Sequence, residues 1–146
     1  MPQRKKAEAR PAARAHLIDT NVILRFLIGD DPPKAARAVA LMNRVERADE
    51  ILELSDEVFT ETVWTLESFY QVPRTETAEN LAAILSFSGI RVGSRDVLLR
   101  ALQNYASSSA DFVDCLLAAR SKHRRIPIYT FDETDFKKLQ TDWERP

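Results

Sequence analysis

Apolar positions along this chain follow two periods in alternation. Ala15 to Ile18 form a continuous apolar-rich run that ends in Asp19, and Val22, Ile23, Phe26 and Leu27 then recur at the spacing of one buried helix face. The pattern predicts a strand over about Ala15–Asp19 and a helix over about Thr20–Leu27. Gly29 to Pro33 read as a turn, with Asp31 placed to cap a second helix and proline at its first positions. Ala35, Ala38, Val39, Met42 and Val45 trace the apolar face of that helix. Ile51–Leu54 is a second strand. Ser55 opens a third helix to about Tyr70, with Asp56 and Glu57 in the first turn, where the helix dipole favours anions. After Val72-Pro73-Arg74, Thr75 is expected to cap a fourth helix through about Ser86. A short strand over Gly89–Gly93 follows, and Ser94 caps a fifth helix bearing Val97, Leu98, Ala101, Leu102 and Tyr105. A loop at Ser107–Ser109 leads to a sixth helix around Phe112–Ala119. Ile126–Thr130 is the last predicted strand, and Asp135-Phe136 open a short helix to about Gln140.

Strands that alternate with helices predict an α/β fold: one domain with a mostly parallel central sheet and helices on both faces. In open sheets of this kind, sites form outside the carboxyl ends of the strands. The first and last predicted strands both end in an acid, Asp19 and Asp132, and are expected to deliver them to the same edge.

The length of 146 residues fits a single domain with a sizeable core, and 45% hydrophobic with 29% charged residues is a globular composition. Charge changes the picture more. Residues 1–14 hold Arg4, Lys5, Lys6, Arg10 and Arg14 against Glu8, a net +4, which leaves −5 on residues 15–146 given the total of −1. The first 14 residues read as a mobile basic tail and 15–146 as the domain. An acidic body does not bind nucleic acid by broad attraction, so local basic residues or a bound cation must offset it. The single cysteine, Cys115, excludes an intramolecular disulfide and a Cys-rich zinc site, and the three glycines cannot form a dinucleotide or phosphate-binding loop. Neither His16 nor His123 lies near a serine or cysteine in a nucleophile motif. The basic start lacks the apolar stretch of a secretory signal, and no run approaches the roughly 20 apolar residues of a membrane span. The expected location is the cytoplasm.

Any chemistry must therefore run on carboxylates. Asp19 suits a helix cap and a site equally well on its own stretch. Glu61 sits among Val58, Phe59, Thr62 and Val63, where a charge calls for water or a partner. Asp111 and Asp114, three apart, share a helix face. A capping box between Ser108 and Asp111 would account for Asp111 but not for Asp114, which is flanked by Phe112, Val113, Cys115 and Leu116. Asp19, Glu61, Asp114 and Asp132 brought together would repel strongly, and a divalent cation is the ordinary offset. Oxygen-only ligation selects Mg²⁺ or Mn²⁺, with Asp111 adjoining the set. The predicted chemistry is metal-assisted phosphodiester hydrolysis.

These residues also carry a family resemblance. Leu17-Ile18-Asp19-Thr20-Asn21-Val22 resembles the opening motif of PIN-domain ribonucleases, and Glu61 in Val58–Leu66 resembles their helix-borne glutamate. Asp111–Ala119 is similar to their third motif and Thr130–Phe136 to their fourth. The resemblance spans about residues 15–140 and is most like the VapC-type toxins of toxin–antitoxin pairs. It departs at Thr62, where leucine is more usual. It implies a parallel sheet between helices, Mg²⁺-dependent cleavage of RNA, a homodimer and a small antitoxin partner. Asp19, Glu61, Asp114 and Asp132 are the implied catalytic acids, holding the metal with Asp111. A phosphoacceptor receiver domain would need an acid pair after strand 1 and a lysine after the last strand, and both are missing. A PIN-like module that binds without cutting and a housekeeping RNA-processing nuclease are the remaining alternatives.

Overall fold

In a computed structural model, residues 13–146 are described. The tail expected over residues 1–14 therefore lies, for residues 1–12, outside the described residues. The chain runs β1 (Ala15–Leu17), α1 (Thr20–Ile28), α2 (Pro32–Glu46), β2 (Ile51–Glu53), α3 (Asp56–Ser68), α4 (Arg74–Leu85), β3 (Ile90–Arg91), α5 (Arg95–Ser107), α6 (Phe112–Arg124), β4 (Ile128–Tyr129), α7 (Glu133–Lys138) and β5 (Trp143–Glu144).

Short polar side chains start most of these helices, as their placement before apolar runs dictates. Asp19, Asp31, Ser55, Ser94 and Asp132 each accept a backbone N–H from the first turn that follows. Two expectations fail here. The residue before α4 is Pro73, which makes no side-chain cap, and Thr75 already lies inside the first turn. The ring fixes the backbone of Pro73 at an extended φ of −55°, so the helix begins one residue ahead of Thr75. The capping box at α6 does not form either. Ser108 Oγ instead accepts the Ala110 N–H and donates to the Asn104 carbonyl, and Asp111 caps with backbone alone.

All strand pairings are parallel, and the fold is a single α/β domain. β1, β2 and β3 lie side by side in that order, with Ala15 opposite Ile51 and Leu52 opposite Ile90. The last expected strand does not join β1; among the described residues β4 pairs with β5, a strand the apolar pattern does not reveal. Backbone bonds show the pairing, and proline weakens the other edge. Ile128 N–H donates to the Asp142 carbonyl and Thr130 N–H to that of Glu144, so residues 127 and 129 would serve the opposite edge. Residue 127 is proline and has no N–H to give. Asp19 and Asp132 thus follow strands of two different sheets.

The core is made mainly by residues of the helices. Ile23, Met42, Phe59, Leu66, Leu81, Leu98 and Tyr105 are fully buried, and α5 against α6 is the most extensive helix pair. Gly89 marks the tightest backbone approach. A Cβ there would stand 2.2 Å from the Glu50 carbonyl oxygen and 2.6 Å from that of Val45. Both are main-chain atoms of the turn that ends α2, so neither yields by rotating a side chain. Gly89→Ala is expected to cost about 3 kcal/mol or more, the upper range for overpacking, as a lowered urea midpoint.

Candidate metal centre

Three carboxylates meet where α6 faces the β4–α7 turn. Asp114 sits in the first turn of α6, half-buried because its neighbours Phe112, Cys115 and Leu116 turn that helix into the core. Asp132 ends the β4 turn. Its N–H donates to Thr130 Oγ1 at 2.9 Å and its carboxylate caps α7 by accepting the Thr134 N–H at 3.2 Å. Asp135 follows in the first turn of α7. One oxygen from each of Asp114, Asp132 and Asp135 lies within 4.8 Å of the others. Burial raises the pKa of the Asp114 carboxyl above its ordinary value. The negative charges of Asp135, Asp111 and Asp132, and a hydrogen bond with Asp135, push it the same way.

Asp19 and Glu61 form a second group outside this triad. Asp19 caps α1, its Oδ1 accepting the Thr20 N–H at 2.9 Å and its Oδ2 lying 3.4 Å from Asn21 Nδ2. Buried Thr20 donates its hydroxyl to Glu61 Oε2 at 2.7 Å, so one residue bonds both acids, Asp19 through its backbone N–H and Glu61 through its side chain. Glu61 itself is exposed, its carboxylate reaching out of α3 toward α1. Glu61 lines an open cavity of about 490 Å³ between α3 and α6, together with Trp64, Val113 and Leu116 among others. Val113 is the residue before Asp114. Asp111 is exposed at the start of α6 with its carboxylate free of any cap hydrogen bond, and its charge bears on Asp114.

The donor set fits a hard divalent cation. Three carboxylate oxygens converge, no sulfur or imidazole joins them, and a positive charge there would relieve the repulsion that lifts the Asp114 pKa. Of the acids singled out in the sequence, Asp114 and Asp132 are brought together with Asp111 alongside, while Asp19 and Glu61 are joined through Thr20. Asp135, which the sequence places in the fourth motif at the start of a helix but outside the metal-holding set, is the third member of the cluster. Its signal was the spacing: it follows Asp132 by three positions at a helix start, which puts both carboxyls on one side.

A family model of the PIN domain matches residues 16–141, nearly the whole described chain. The chain belongs to the PIN-domain family. Among curated proteins, none matches it. The PIN fold is a nuclease fold that typically uses divalent metal, and this PIN domain carries an acidic cluster of Asp114, Asp132 and Asp135. No helix among the described residues is long and apolar enough to cross a membrane.

The remaining titratable groups do not compete as a centre. Burial pushes the Cys115 thiol up to about 11, so it stays protonated and inert in the core. His16 pairs with Glu50 at 3.2 Å on the edge of β1.

The raised Asp114 pKa fixes a pH dependence. Well below the ordinary value of 3.8 the group is protonated in both folded and unfolded chains, and it contributes nothing. As pH rises, the unfolded chain releases its proton first, so stability falls until the folded carboxyl has also ionised. Asp30, Asp31, Glu57 and Glu133 have lowered values and act in the opposite sense, so the informative quantity is a difference. Without divalent metal, Asp114→Asn is expected to melt above wild type at neutral pH. That gap should close as the pH is brought toward 3.8, as followed by circular dichroism.

Proposed function

We infer that this PIN domain is a Mg²⁺- or Mn²⁺-dependent endoribonuclease and the toxin of a toxin–antitoxin pair. The observation that carries the reading is the convergence of the Asp114, Asp132 and Asp135 oxygens within 4.8 Å on a PIN fold. A divalent cation held there supplies charge stabilisation to a phosphoryl group and acidifies a water. Asp114, Asp132 and Asp135 would hold it, and Asp111 would add negative charge beside them. Asp19 and Glu61, each hydrogen-bonded to Thr20, would orient the attacking water or a second cation. RNA as the substrate is supported by the resemblance of all four acidic motifs to VapC-type toxins. The same resemblance supports a homodimer.

The partner is a short antitoxin whose basic residue, arginine by preference, meets the carboxylates in a bidentate pair. Trp64, on α3 beside the cavity and 64% exposed, offers it an apolar anchor. Tyr70 is less available, because its hydroxyl is committed to Asp30 and Arg25.

Purified alone, the chain is expected to cut RNA into discrete fragments with Mg²⁺ or Mn²⁺ and to lose that activity in excess EDTA. Asp114→Asn or Asp132→Asn should lower the rate by about 100-fold or more, beyond what outer positions around a metal typically cost. Asp19→Asn should also lose activity while remaining folded, since asparagine caps a helix as well as aspartate does. Cleavage undiminished by chelation would overturn the metal reading. For the partner, the chain should co-purify with the product of an adjacent short gene, and changing that product's arginines singly should restore cleavage. A complex that inhibits regardless of every basic residue would count against the proposed contact.

A further inference from the structure

Arg74 opens α4, far in sequence from every acid of the centre, yet its guanidinium donates in three directions. Nε reaches the Tyr105 carbonyl in the last turn of α5 at 3.0 Å, Nη1 reaches Glu67 Oε1 on α3 at 3.0 Å, and Nη2 reaches the Ala110 carbonyl at 2.5 Å. The guanidinium carbon also lies 3.8 Å from the centre of the Tyr105 ring. Tyr105 is fully buried, and its hydroxyl donates to the other Glu67 oxygen at 2.8 Å. One cation thus joins α3, α4, α5 and the linker that leads into α6.

The linker contact matters most. Ala110 is fully buried and directly precedes Asp111, where α6 begins. Asp111 makes no side-chain cap, so its own carboxylate does not fix the start of the helix. The fixed point is one residue earlier, where the Ala110 carbonyl accepts from Arg74 and its N–H donates to Ser108 Oγ. Asp114 lies one helical turn beyond that point and must be held against the like charges of Asp111, Asp132 and Asp135.

We propose that Arg74 is a positioning residue for the metal centre. By fixing the Ala110 carbonyl it sets where α6 starts, and so where Asp114 meets Asp132 and Asp135; this rests on reading that triad as the cation site. The role is specific to arginine. A planar fork with several donors serves two carbonyls and a carboxylate at once, whereas a lysine ammonium on the same stem cannot meet all three in that geometry.

The test uses the full chain with Mn²⁺ alone as probe, titrated by calorimetry or electron paramagnetic resonance. Arg74→Lys is expected to bind Mn²⁺ about 10- to 100-fold more weakly, the range for residues that orient metal ligands. Its rate at saturating Mn²⁺ should recover most of the wild-type value. Tyr105→Phe removes the hydroxyl bond to Glu67 but leaves both carbonyl contacts of Arg74. It should lower the melting temperature and leave Mn²⁺ affinity unchanged. Wild-type Mn²⁺ affinity in folded Arg74→Lys, whatever its melting temperature, overturns the proposal. If that variant does not fold, Glu67→Gln keeps the arginine but removes the charge that orients it. Weaker Mn²⁺ binding is then expected, and unchanged binding overturns the proposal equally. Wild-type affinity in Asp114→Asn would instead overturn the metal-centre reading, so the two failures are distinguishable.

Discussion

Carboxylates whose oxygens meet within 4.8 Å repel one another, and the fold around them resists that repulsion. Asp114 is carried on a helix whose other side is core, with Phe112, Cys115, Ala118 and Ala119 all buried. Asp132 and Asp135 are carried on a short unit that closes on itself through the β4–β5 pair and is pinned by Phe136 and Leu139. Neither side can retreat without exposing apolar surface, which loses about 25 cal/mol for each Å². Packing stability is thereby committed to a local arrangement that is unfavourable until a cation enters.

Helix capping and ligand chemistry coexist in this arrangement. A carboxylate has about four lone-pair directions, and a cap uses one of them. Asp19 and Asp132 both begin a helix in this way, and both keep an oxygen not used by the first-turn N–H. The cap therefore orients the side chain at little cost to its remaining capacity. Asp111 shows the converse: its backbone begins α6, its carboxylate is left free, and the anchoring passes to Ala110 and Arg74.

Most of the architecture was legible in the apolar periodicity, because α1 to α6 each bury a face that the sequence repeats, while β1 to β3 were marked by short apolar runs although β1 itself is largely exposed. Asp19, Asp111 and Asp132 stood out because each is placed where an element begins, whereas Glu61 lies inside α3 and stood out only by its apolar neighbours. Less visible was anything decided by one backbone group. Pro127 breaks the register of possible donors on one edge of β4, and Trp143-Glu144 form β5 on two residues with no alternation to read. Pro73 moves the start of α4 ahead of Thr75 for a similar reason. At the site, Asp135 looked like an ordinary first-turn acid; only the folded chain turns its carboxyl toward Asp114, which lies 21 positions earlier. The bond from the Thr20 hydroxyl to Glu61 is likewise a tertiary fact, because a threonine after a cap is unremarkable in sequence.

The two tryptophans give this arrangement an optical consequence. Trp64 is largely in solvent on α3, whereas Trp143 is half-buried in β5 with the Lys137 ammonium 5.5 Å from its ring centre. Lys137 stands two residues after Asp135 on a helix of only six residues, so a shift of α7 moves a charge relative to that indole. An excited indole is polarised, and a nearby cation alters its emission. Trp143 is therefore an intrinsic fluorophore for the unit that carries Asp132 and Asp135. Trp64, open to collisional quenchers such as iodide, can be silenced separately from it.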